Sequence, residues 1–368
     1  MSTTEEATTA PAETPEARLT ERPESLLQKR WRRFKSLKRG WYSFVILCVA
    51  FALSFLNPLL INNKALVVSY QGGLHFPVFE GHIEARDFGQ RLIGEARYRE
   101  LKTQFAEAGE GDFVWMPLYP FHPNEHLWDE PDLPGSPPHA PNASHWMGTD
   151  GQGRDVFARL VYGFRVSLLF GLSVLVISFS VGTAIGAALG YFGGTFDILA
   201  QRLIEIWSGL PFLYTIIIIT ALVQPDNWLL VMLLSAFSWM GITYYVRGEV
   251  YREKSRDYVA AAVAQGESHA SIMFRHILPN SLTPIITFAP FRVVGFIGML
   301  VALDYLGFGV PAPTASWGEL VRQGLTRITE WHLVVFPLGA MFVTLIMVVF
   351  IGEAIREAFD PKVFSRLR

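Results

Sequence analysis

Long stretches without a charged side chain recur along this sequence, and they constrain its fold more than any other feature. Residues 41–61 form the first such stretch, which is 21 positions long. A helix rises about 1.5 Å per residue, so a stretch of this length crosses the hydrocarbon core of a bilayer. Five further stretches are 167–194, 206–224, 227–246, 281–303 and 333–352, of which 281–303 contains one charge, Arg292. The sequence therefore predicts an all-α polytopic membrane protein with six transmembrane helices.

The composition supports a membrane protein and excludes several other classes. Only 17% of the 368 residues are charged and 51% are hydrophobic, whereas soluble chains carry about 25% charged residues. A net charge of −2 argues against a nucleic-acid-binding protein. The single cysteine, Cys48, excludes an internal disulfide and a cysteine-rich metal site.

The charges next to the first apolar stretch predict the orientation of the chain. Residues 1–28 read as a disordered cytoplasmic tail, because they hold few large apolar side chains. Seven Lys and Arg residues follow at 29–39, and such an excess marks the cytoplasmic side. Residues 29–61 are thus the basic flank and first transmembrane helix. Six spans also leave the C-terminal tail, residues 362–368, in the cytoplasm. A signal peptide fits poorly, because the apolar stretch is too long and too far from the start.

The longest polar region, residues 62–165, is predicted to be a small α+β periplasmic insertion after the first helix. It is acidic, with 9 Lys and Arg against 14 Asp and Glu. Short apolar runs at 65–70 and 75–79 are typical of strands, and residues 84–107 are typical of a helix. A proline-rich loop at 117–141 leads to residues 166–361, which form the predicted five-helix core.

The cytoplasmic loop 247–280 has the outline helix, glycine, helix, proline. Small residues cluster at 260–264, Gly266 interrupts the first helix, and Leu278-Pro279 ends the loop. Small side chains let another backbone approach closely, whereas a helix lying on lipid needs a large apolar face. The pattern therefore favours docking into a partner protein.

This loop resembles the EAA motif of permease subunits of ATP-binding-cassette importers. The spacing of Ala260-Ala261-Ala262, Gly266 and Leu278-Pro279 is that of the motif, although Ala260 stands where the family has Glu. Stretches at 145–156, 306–318 and 352–361 are similar to the dipeptide/oligopeptide branch, and the match runs in order from about 29 to 361. The insertion looks most like that of the Yej-type permeases of peptide (microcin C) importers.

The resemblance implies the type I ABC importer fold and an ATP-driven importer of oligopeptides, including peptide antibiotics such as microcin C, in the bacterial inner membrane. Dipeptides, nickel and opines remain alternative cargoes. The implied partners are a second homologous permease subunit, ATP-binding ATPase subunits, a periplasmic peptide-binding protein and the lipid bilayer. Residues 258–276 would form the coupling helices on the ATPase. The implied ATPase-coupling residues are Tyr258, Ala260, Ala261, Ala262, Gly266, Leu278 and Pro279.

No catalytic site or cofactor is expected in this chain itself. The sequence contains no Gly-x-x-x-x-Gly-Lys-Ser/Thr loop to hold phosphates, so ATP and Mg would be bound by the partner ATPase. It also has no Gly-x-Ser-x-Gly elbow of a serine hydrolase. His122 and His126 have the spacing of a helical zinc pair, but Pro123 between them argues against a metal site. An ion-coupled secondary transporter would need intramembrane carboxylates, and Arg292 is the only charge at depth in the spans.

Arg292 is the candidate residue of the translocation path. A cation at the centre of a membrane helix costs at least about 2.5–3.5 kcal/mol, so it should face protein or a water-filled cavity. It would either contact the carboxylate of a peptide or pair structurally with a carboxylate or with carbonyls freed by Pro284 and Pro290.

Three further patterns carry structural predictions. Gly182, Gly186 and Gly190 recur at four-residue spacing in the second span, which predicts close helix packing. Asp150, Arg154 and Asp155 are expected to fix the loop that enters this span rather than to perform chemistry. The third helix is expected to begin near Ile198, with Arg202 and Glu205 in its first turns.

Overall fold

The structure, a computed structural model, describes residues 25–128, Glu130, 132–223 and 226–360. Most of the predicted tail at 1–28 and all of 362–368 lie outside the described residues. Helix α1 (Leu26–Ser36) begins inside the predicted tail, with Ser25 and Gln28 capping its start reciprocally. Helix α2 (Lys38–Ser54) follows at an angle of 93° to α1.

The insertion contains a three-stranded antiparallel sheet, as an α+β fold requires. Its order is β2 (Gly73–His75), β1 (Val67–Tyr70), β3 (Phe113–Trp115). The remaining elements are α3 (Asn57–Leu60), α4 (Pro77–Glu80), a 3₁₀ turn (Ala85–Phe88) and α5 (Tyr98–Ala108). Val68 of β1 and Leu101 of α5 are fully buried in a small core of their own.

Two predicted elements of the insertion are wrong. The run 75–79 is a strand only at His75, because Pro77 lacks the donor of a ladder bond and starts the helical turn α4. The predicted helix 84–107 forms only from Tyr98. Gly89 and Gly94 adopt positive φ angles of 74° and 107°, which end helical geometry. Strand β3 was not predicted, because three residues are too few to show the alternating pattern of a strand.

The membrane core starts at α6 (Val156–Phe192), which is earlier than the predicted residue 167. Asp155 caps it by accepting a 2.8 Å hydrogen bond from the Ala158 amide. The next span is a pair, α7 (Gly194–Ser208) and α8 (Phe212–Leu222), bent by 67°. Pro211 lies at this bend, directly before α8. Helix α9 (Asn227–Lys254) is a single span without a break.

The chain then forms four short elements before its last two spans. They are α10 (Asp257–Ala264), α11 (His269–Ser271), a π-helical turn (Ile272–Ile277) and α12 (Leu278–Ile286). Helix α13 (Ala289–Leu306), a connecting helix α14 (Trp317–Thr326) and the span α15 (His332–Phe359) complete the fold. In the described part of the chain, α6, α9, α13 and α15 are long and apolar enough to cross a membrane. The two bent pairs bring the number of spans to six.

The glycines of α6 confirm the predicted close packing, and the partner is α9 of the same chain. A Cβ added at Gly186 would lie 2.6 Å from the Thr243 carbonyl oxygen, and one at Gly190 would lie 2.8 Å from the Arg247 carbonyl. Only glycine permits this approach, so α6 and α9 form the tightly packed centre of the bundle. With 37 residues, α6 runs from the insertion at one end of the bundle to residues 255–280 at the other.

Candidate functional site

Residues 255–280, called the loop segment below, form a folded unit rather than an open loop. Helix α10 ends at Ala264, and Gly266 two positions later has a φ of 77°, in the left-handed region. The amide of Gly266 donates to the Val263 carbonyl and that of Glu267 to the Ala262 carbonyl, so the carbonyls at the end of α10 are satisfied. The predicted outline of helix, glycine and helix is confirmed, and Pro279 lies in the first turn of α12.

Apolar side chains attach the loop segment to the ends of α6 and α9. Val259, Ala262, Ile272 and Ile277 are buried in one cluster together with Val250 of α9. Burying a Val or Ile side chain stabilises the fold by about 1.5–3 kcal/mol. The segment is therefore fixed to the bundle and moves with it.

The Tyr258 hydroxyl joins three elements by hydrogen bonds. It donates to Glu253 Oε2 at 2.8 Å and accepts from Asn280 Nδ2 at 3.2 Å. Glu253 lies near the end of α9, and Asn280 lies in the first turn of α12. Burial, together with the bond to Glu253, raises the pKa of the Tyr258 phenol. The hydroxyl thus links the end of one span to the helix that precedes the next.

Further polar contacts hold the tip of the segment. The Glu267 carboxylate accepts from Ser271 Oγ at 2.6 Å and lies 3.1 Å from His276 Nε2. These hydrogen bonds lower the pKa of Glu267. The hydroxyl of Tyr191, at the end of α6, lies 2.6 Å from His269 Nδ1.

The exposed surface of the loop segment, called its open face below, is partly apolar. Val263 is 59% exposed and Phe274 is 69% exposed. Among the residues predicted to couple to an ATPase, the structure places most on this open side and buries Ala262. Those on the open side are Tyr258, Ala260, Ala261, Gly266 and Pro279. Leu278 is half-buried against the apolar cluster. The sequence interpretation did not single out Val263 or Phe274, because single exposed apolar residues carry no pattern.

An apolar groove of about 730 Å³ opens beside the loop segment. Phe179 and Ala187 of α6 form one wall, and Met273, Phe274 and Leu282 form the other. The groove contains few polar atoms, so it fits an apolar side chain or helix rather than an ion.

Arg292 lies in α13, away from the loop segment. Its guanidinium stacks over the Phe296 ring at 5.2 Å from the centroid. Within the described residues, its Nε is buried and makes no hydrogen bond. The structure therefore shows a partly unsatisfied cation inside a span, with no paired carboxylate among the contacts described.

A buried ionic network at the insertion end contains functional candidates that sequence analysis missed. The Glu319 carboxylate of α14 forms two ion pairs. Its Oε1 lies 2.7 Å from Arg154 Nη2, and its Oε2 lies 2.6 Å from Nη2 of Arg159 in α6. Burial alone lowers the pKa of Arg154, but Asp150 and Glu319 outweigh burial and raise it. The predicted structural role of Asp150 and Arg154 is confirmed by these contacts. Arg159 and Glu319 lie 160 positions apart, so no local pattern could reveal their pairing.

Asp155 is the centre of a second buried cluster at the start of α6. Its Oδ2 accepts from the Tyr119 hydroxyl at 2.7 Å and lies 2.8 Å from His145 Nδ1. Burial and the Asp155 charge raise the pKa of Tyr119. These contacts attach the proline-rich loop to α6, as the sequence predicts for Asp155.

His122 and His126, the two histidines with the spacing of a zinc pair, contact backbone groups. His122 Nδ1 accepts from the Asn124 amide at 3.2 Å, and His126 Nδ1 lies 2.9 Å from the Gln152 carbonyl. Burial lowers the pKa of His122. Among the described residues, no three His, Cys, Asp or Glu side chains are grouped to hold a metal ion.

Comparison with known proteins identifies the family. Residues 182–365, half of the chain, match the family described as "Binding-protein-dependent transport system inner membrane component". The chain is 39% identical over 334 residues to the inner membrane ABC transporter permease protein YejE of Escherichia coli (strain K12). This match covers 91% of the chain and 96% of that protein.

Two further relatives agree with this result. The peptidoglycan transport system permease protein YejE of Agrobacterium fabrum is 37% identical over 356 residues, or 91% of this chain and 93% of that protein. The oligopeptide transport system permease protein OppC of Haemophilus influenzae is 36% identical over 220 residues, or 59% of this chain and 70% of that protein. The predicted Yej-type resemblance is confirmed. The chain therefore belongs to the family of inner membrane components of binding-protein-dependent transport systems, the permease subunits of ABC transporters.

Proposed function

We propose that this chain is one permease subunit of an ATP-driven importer that carries oligopeptides across the inner membrane. The observation that carries this proposal is the extent of the Yej-type similarity. The match to the Escherichia coli protein covers 91% of this chain, whereas the match to the Haemophilus oligopeptide permease covers 59% of it. The names of the relatives point to oligopeptides and peptidoglycan-derived peptides, and peptide antibiotics such as microcin C are a further cargo to test.

The loop segment is the proposed contact with the ATPase. Its open face presents Val263 and Phe274, and its other face is fixed to α6 and α9 by apolar packing and by Tyr258. A partner that pulls on this face would move two spans together. ATP and Mg would be bound by that partner, because this sequence has no phosphate-binding loop of its own.

The remaining parts of the proposed importer follow from the orientation. The basic residues of α1 support a cytoplasmic N-terminus and loop segment, with the insertion on the periplasmic side. There the acidic insertion would meet a peptide-binding protein, and a second permease subunit would complete the translocation path.

Arg292 is the proposed contact for a peptide carboxylate in this path. Arg292 is half-buried, so the accessible part of its guanidinium can donate charged hydrogen bonds to an anionic cargo. Replacing it with Ala removes a charged hydrogen bond, which corresponds to a loss of about tenfold or more in uptake.

The test is ATP-dependent accumulation of a labelled oligopeptide in proteoliposomes that contain the co-expressed complex and its binding protein. The intact complex should accumulate peptide, Arg292→Ala should reduce accumulation, and Arg292→Lys should retain more of it. A complex that hydrolyses ATP but never accumulates peptide contradicts the proposed cargo. Normal accumulation by Arg292→Ala contradicts only the role of Arg292.

A further inference from the structure

Strand β3 forms an open edge of the sheet in the insertion. The order β2, β1, β3 leaves one side of β3 without a partner strand in the described part of the chain. Such an edge presents unpaired backbone N–H and C=O groups, which can pair with another extended chain. The three residues of β3 span about 10 Å, so the edge is long enough to pair with about three residues of a bound segment.

A groove of about 490 Å³ lies between β3 and helix α5. Helix α5 lines it with Arg99 and Lys102, and the strand with the residues that follow it lines it with 114–118 and Pro120. Most of the lining from the strand side is apolar, and Leu118 is 82% exposed. A groove bordered by an edge strand is suited to strand addition, in which an extended peptide pairs with the edge and places its side chains in the groove.

The charge of the groove differs from that of the insertion around it. The insertion has 14 acidic and 9 basic residues, but none of the residues that line the groove is acidic. Arg99 is already paired with Glu125 and Glu130. Lys102 is exposed and forms no ion pair among the described residues. Lys102 therefore supplies a positive charge to the groove that the described chain does not neutralise.

An extended chain that ends in a carboxylate would satisfy all of these features together. Its main chain would pair with the edge of β3, its carboxylate with Lys102, and its apolar side chains with Trp115 and Leu118. Main-chain pairing does not depend on the side chains of the bound segment, so a site of this kind accepts peptides of different sequence.

We propose that the groove between β3 and α5 binds the C-terminal residues of an extended oligopeptide by strand addition. The inference rests on the proposed function, because the oligopeptide is the proposed cargo. It adds a binding site in the insertion to the proposed contact at Arg292 in the span.

Photolabelling of the co-expressed complex, first without its binding protein, tests the proposal. A benzophenone amino acid replaces Leu118, and the matched control replaces Ile93, an exposed apolar residue of the insertion outside the groove. A fluorescent oligopeptide with a free C-terminus should form an adduct at position 118 and none at position 93. The absence of a peptide adduct at 118 overturns the site. An adduct there only with the binding protein, once that protein is added, overturns it as well.

The Lys102→Ala variant tests the contact with the carboxylate. Loss of an exposed ion pair should weaken binding of the free-acid peptide about two- to fivefold. Binding of the same peptide with an amidated C-terminus should not change, because that peptide has no carboxylate to pair. Arg91→Ala, which removes an exposed cation outside the groove, is the matched control and should bind both peptides like the wild type. Equal weakening of both peptides by Lys102→Ala, or of neither, overturns the carboxylate contact.

Backbone methylation of the peptide tests strand addition without changing the protein. Two peptides carry N-methyl groups at alternate residues, one at the odd and one at the even positions. At least one should bind severalfold more weakly, because it has lost the amides that pair with β3. Undiminished binding of both peptides overturns strand addition.

The proteoliposome assay separates a failure of this site from a failure of the proposed function. Peptide accumulation without labelling at position 118 rejects the site alone. A complex that shows neither labelling nor accumulation rejects both.

Discussion

The Tyr258 hydroxyl lies 2.8 Å from Glu253 Oε2, and this contact ties the first helix of the loop segment to the end of α9. Glu253 is 8% exposed, and its other carboxylate oxygen, Oε1, lies 3.6 Å from Arg252 Nε and 3.9 Å from Arg256 Nε. The same hydroxyl accepts a hydrogen bond from Asn280 Nδ2, at the other end of the loop segment. The first helix of the loop segment, α9 and α12 are thus connected through one oxygen atom.

Tyr258→Phe should uncouple ATP hydrolysis from transport. Loss of a hydrogen bond to a charged group costs about 1.5–3 kcal/mol, and the loop segment would then shift relative to α9. The expected result is a lower ratio of peptide transported to ATP hydrolysed in proteoliposomes. Tyr214→Phe, at a 68% exposed tyrosine of α8, is the matched control and should leave the ratio unchanged. An unchanged ratio in Tyr258→Phe rejects the role of the hydroxyl.

Gly266→Ala should distort the turn of the loop segment without a steric clash. No atom lies within 4 Å of a Cβ built there, but φ is +77°. A non-glycine residue in this region costs roughly 1–2 kcal/mol. ATPase recovery with the tagged chain should fall. Gly248→Ala, in α9 and also without a Cβ contact, should leave recovery intact; equal recovery from both variants would contradict the requirement for this turn.

Gly186→Ala should destabilise the bundle by overpacking. The new Cβ would lie 2.6 Å from the Thr243 carbonyl oxygen and 2.9 Å from Val246 Cβ. The expected cost is about 1–3 kcal/mol, seen as a lower unfolding temperature in detergent. Gly295→Ala meets no atom within 4 Å and should unfold like the wild type. Similar temperatures for Gly186→Ala and the wild type would argue against the α6–α9 contact.

Glu319→Gln should destabilise the insertion end strongly. It removes the charge that pairs with the fully buried Arg159 and with Arg154. Breaking a buried pair by losing one partner costs about 3–5 kcal/mol. The exposed pair of Arg97 and Glu100 gives the control, because Glu100→Gln should cost at most about 1 kcal/mol. Equal unfolding temperatures for the two variants would contradict this account.

The Glu267 carboxylate should contribute stability that depends on pH. Its pKa in the folded chain is lowered from 4.5 by hydrogen bonds to Ser271 and His276. The contribution is therefore fully present above pH 4.5 and is lost as pH falls through the lowered pKa. The unfolding temperatures of wild type and Glu267→Gln should differ above pH 4.5 and converge in stronger acid. The Ser271→Ala substitution removes one of the two hydrogen bonds, so it should reduce the difference in unfolding temperature that Glu267→Gln causes. A difference in unfolding temperature that persists in strong acid would contradict this role of the Glu267 carboxylate.

The parts of the fold that sequence could predict depend on local patterns. Uncharged runs predict the spans because bilayer thickness sets their length, and Gly186 and Gly190 predict close packing because their spacing places them on one helix face. The prediction of a helix at 84–107 is wrong because Gly89 and Gly94 adopt positive φ angles. Helical periodicity alone does not reveal such breaks.

The site was predictable only where a motif is continuous in sequence. Gly266 and Pro279 stand out because the spacing of the EAA motif is short. The contact of Arg159 with Glu319 joins α6 to α14 across 160 positions of sequence. Such relationships arise from tertiary packing, which no single stretch of sequence encodes.

The central claim is that the loop segment couples this chain to an ATPase, and one co-purification tests it directly. The tagged chain is co-expressed with its transport-system genes, and ATP hydrolysis is measured with and without peptide. Wild type should recover a second permease and an ATPase with peptide-stimulated hydrolysis. Phe274→Asp should lose the ATPase, whereas Leu74→Asp, at a 61% exposed residue of the insertion, should keep it. A chain that purifies without an ATPase, or a Phe274→Asp complex that hydrolyses ATP normally, would contradict the account.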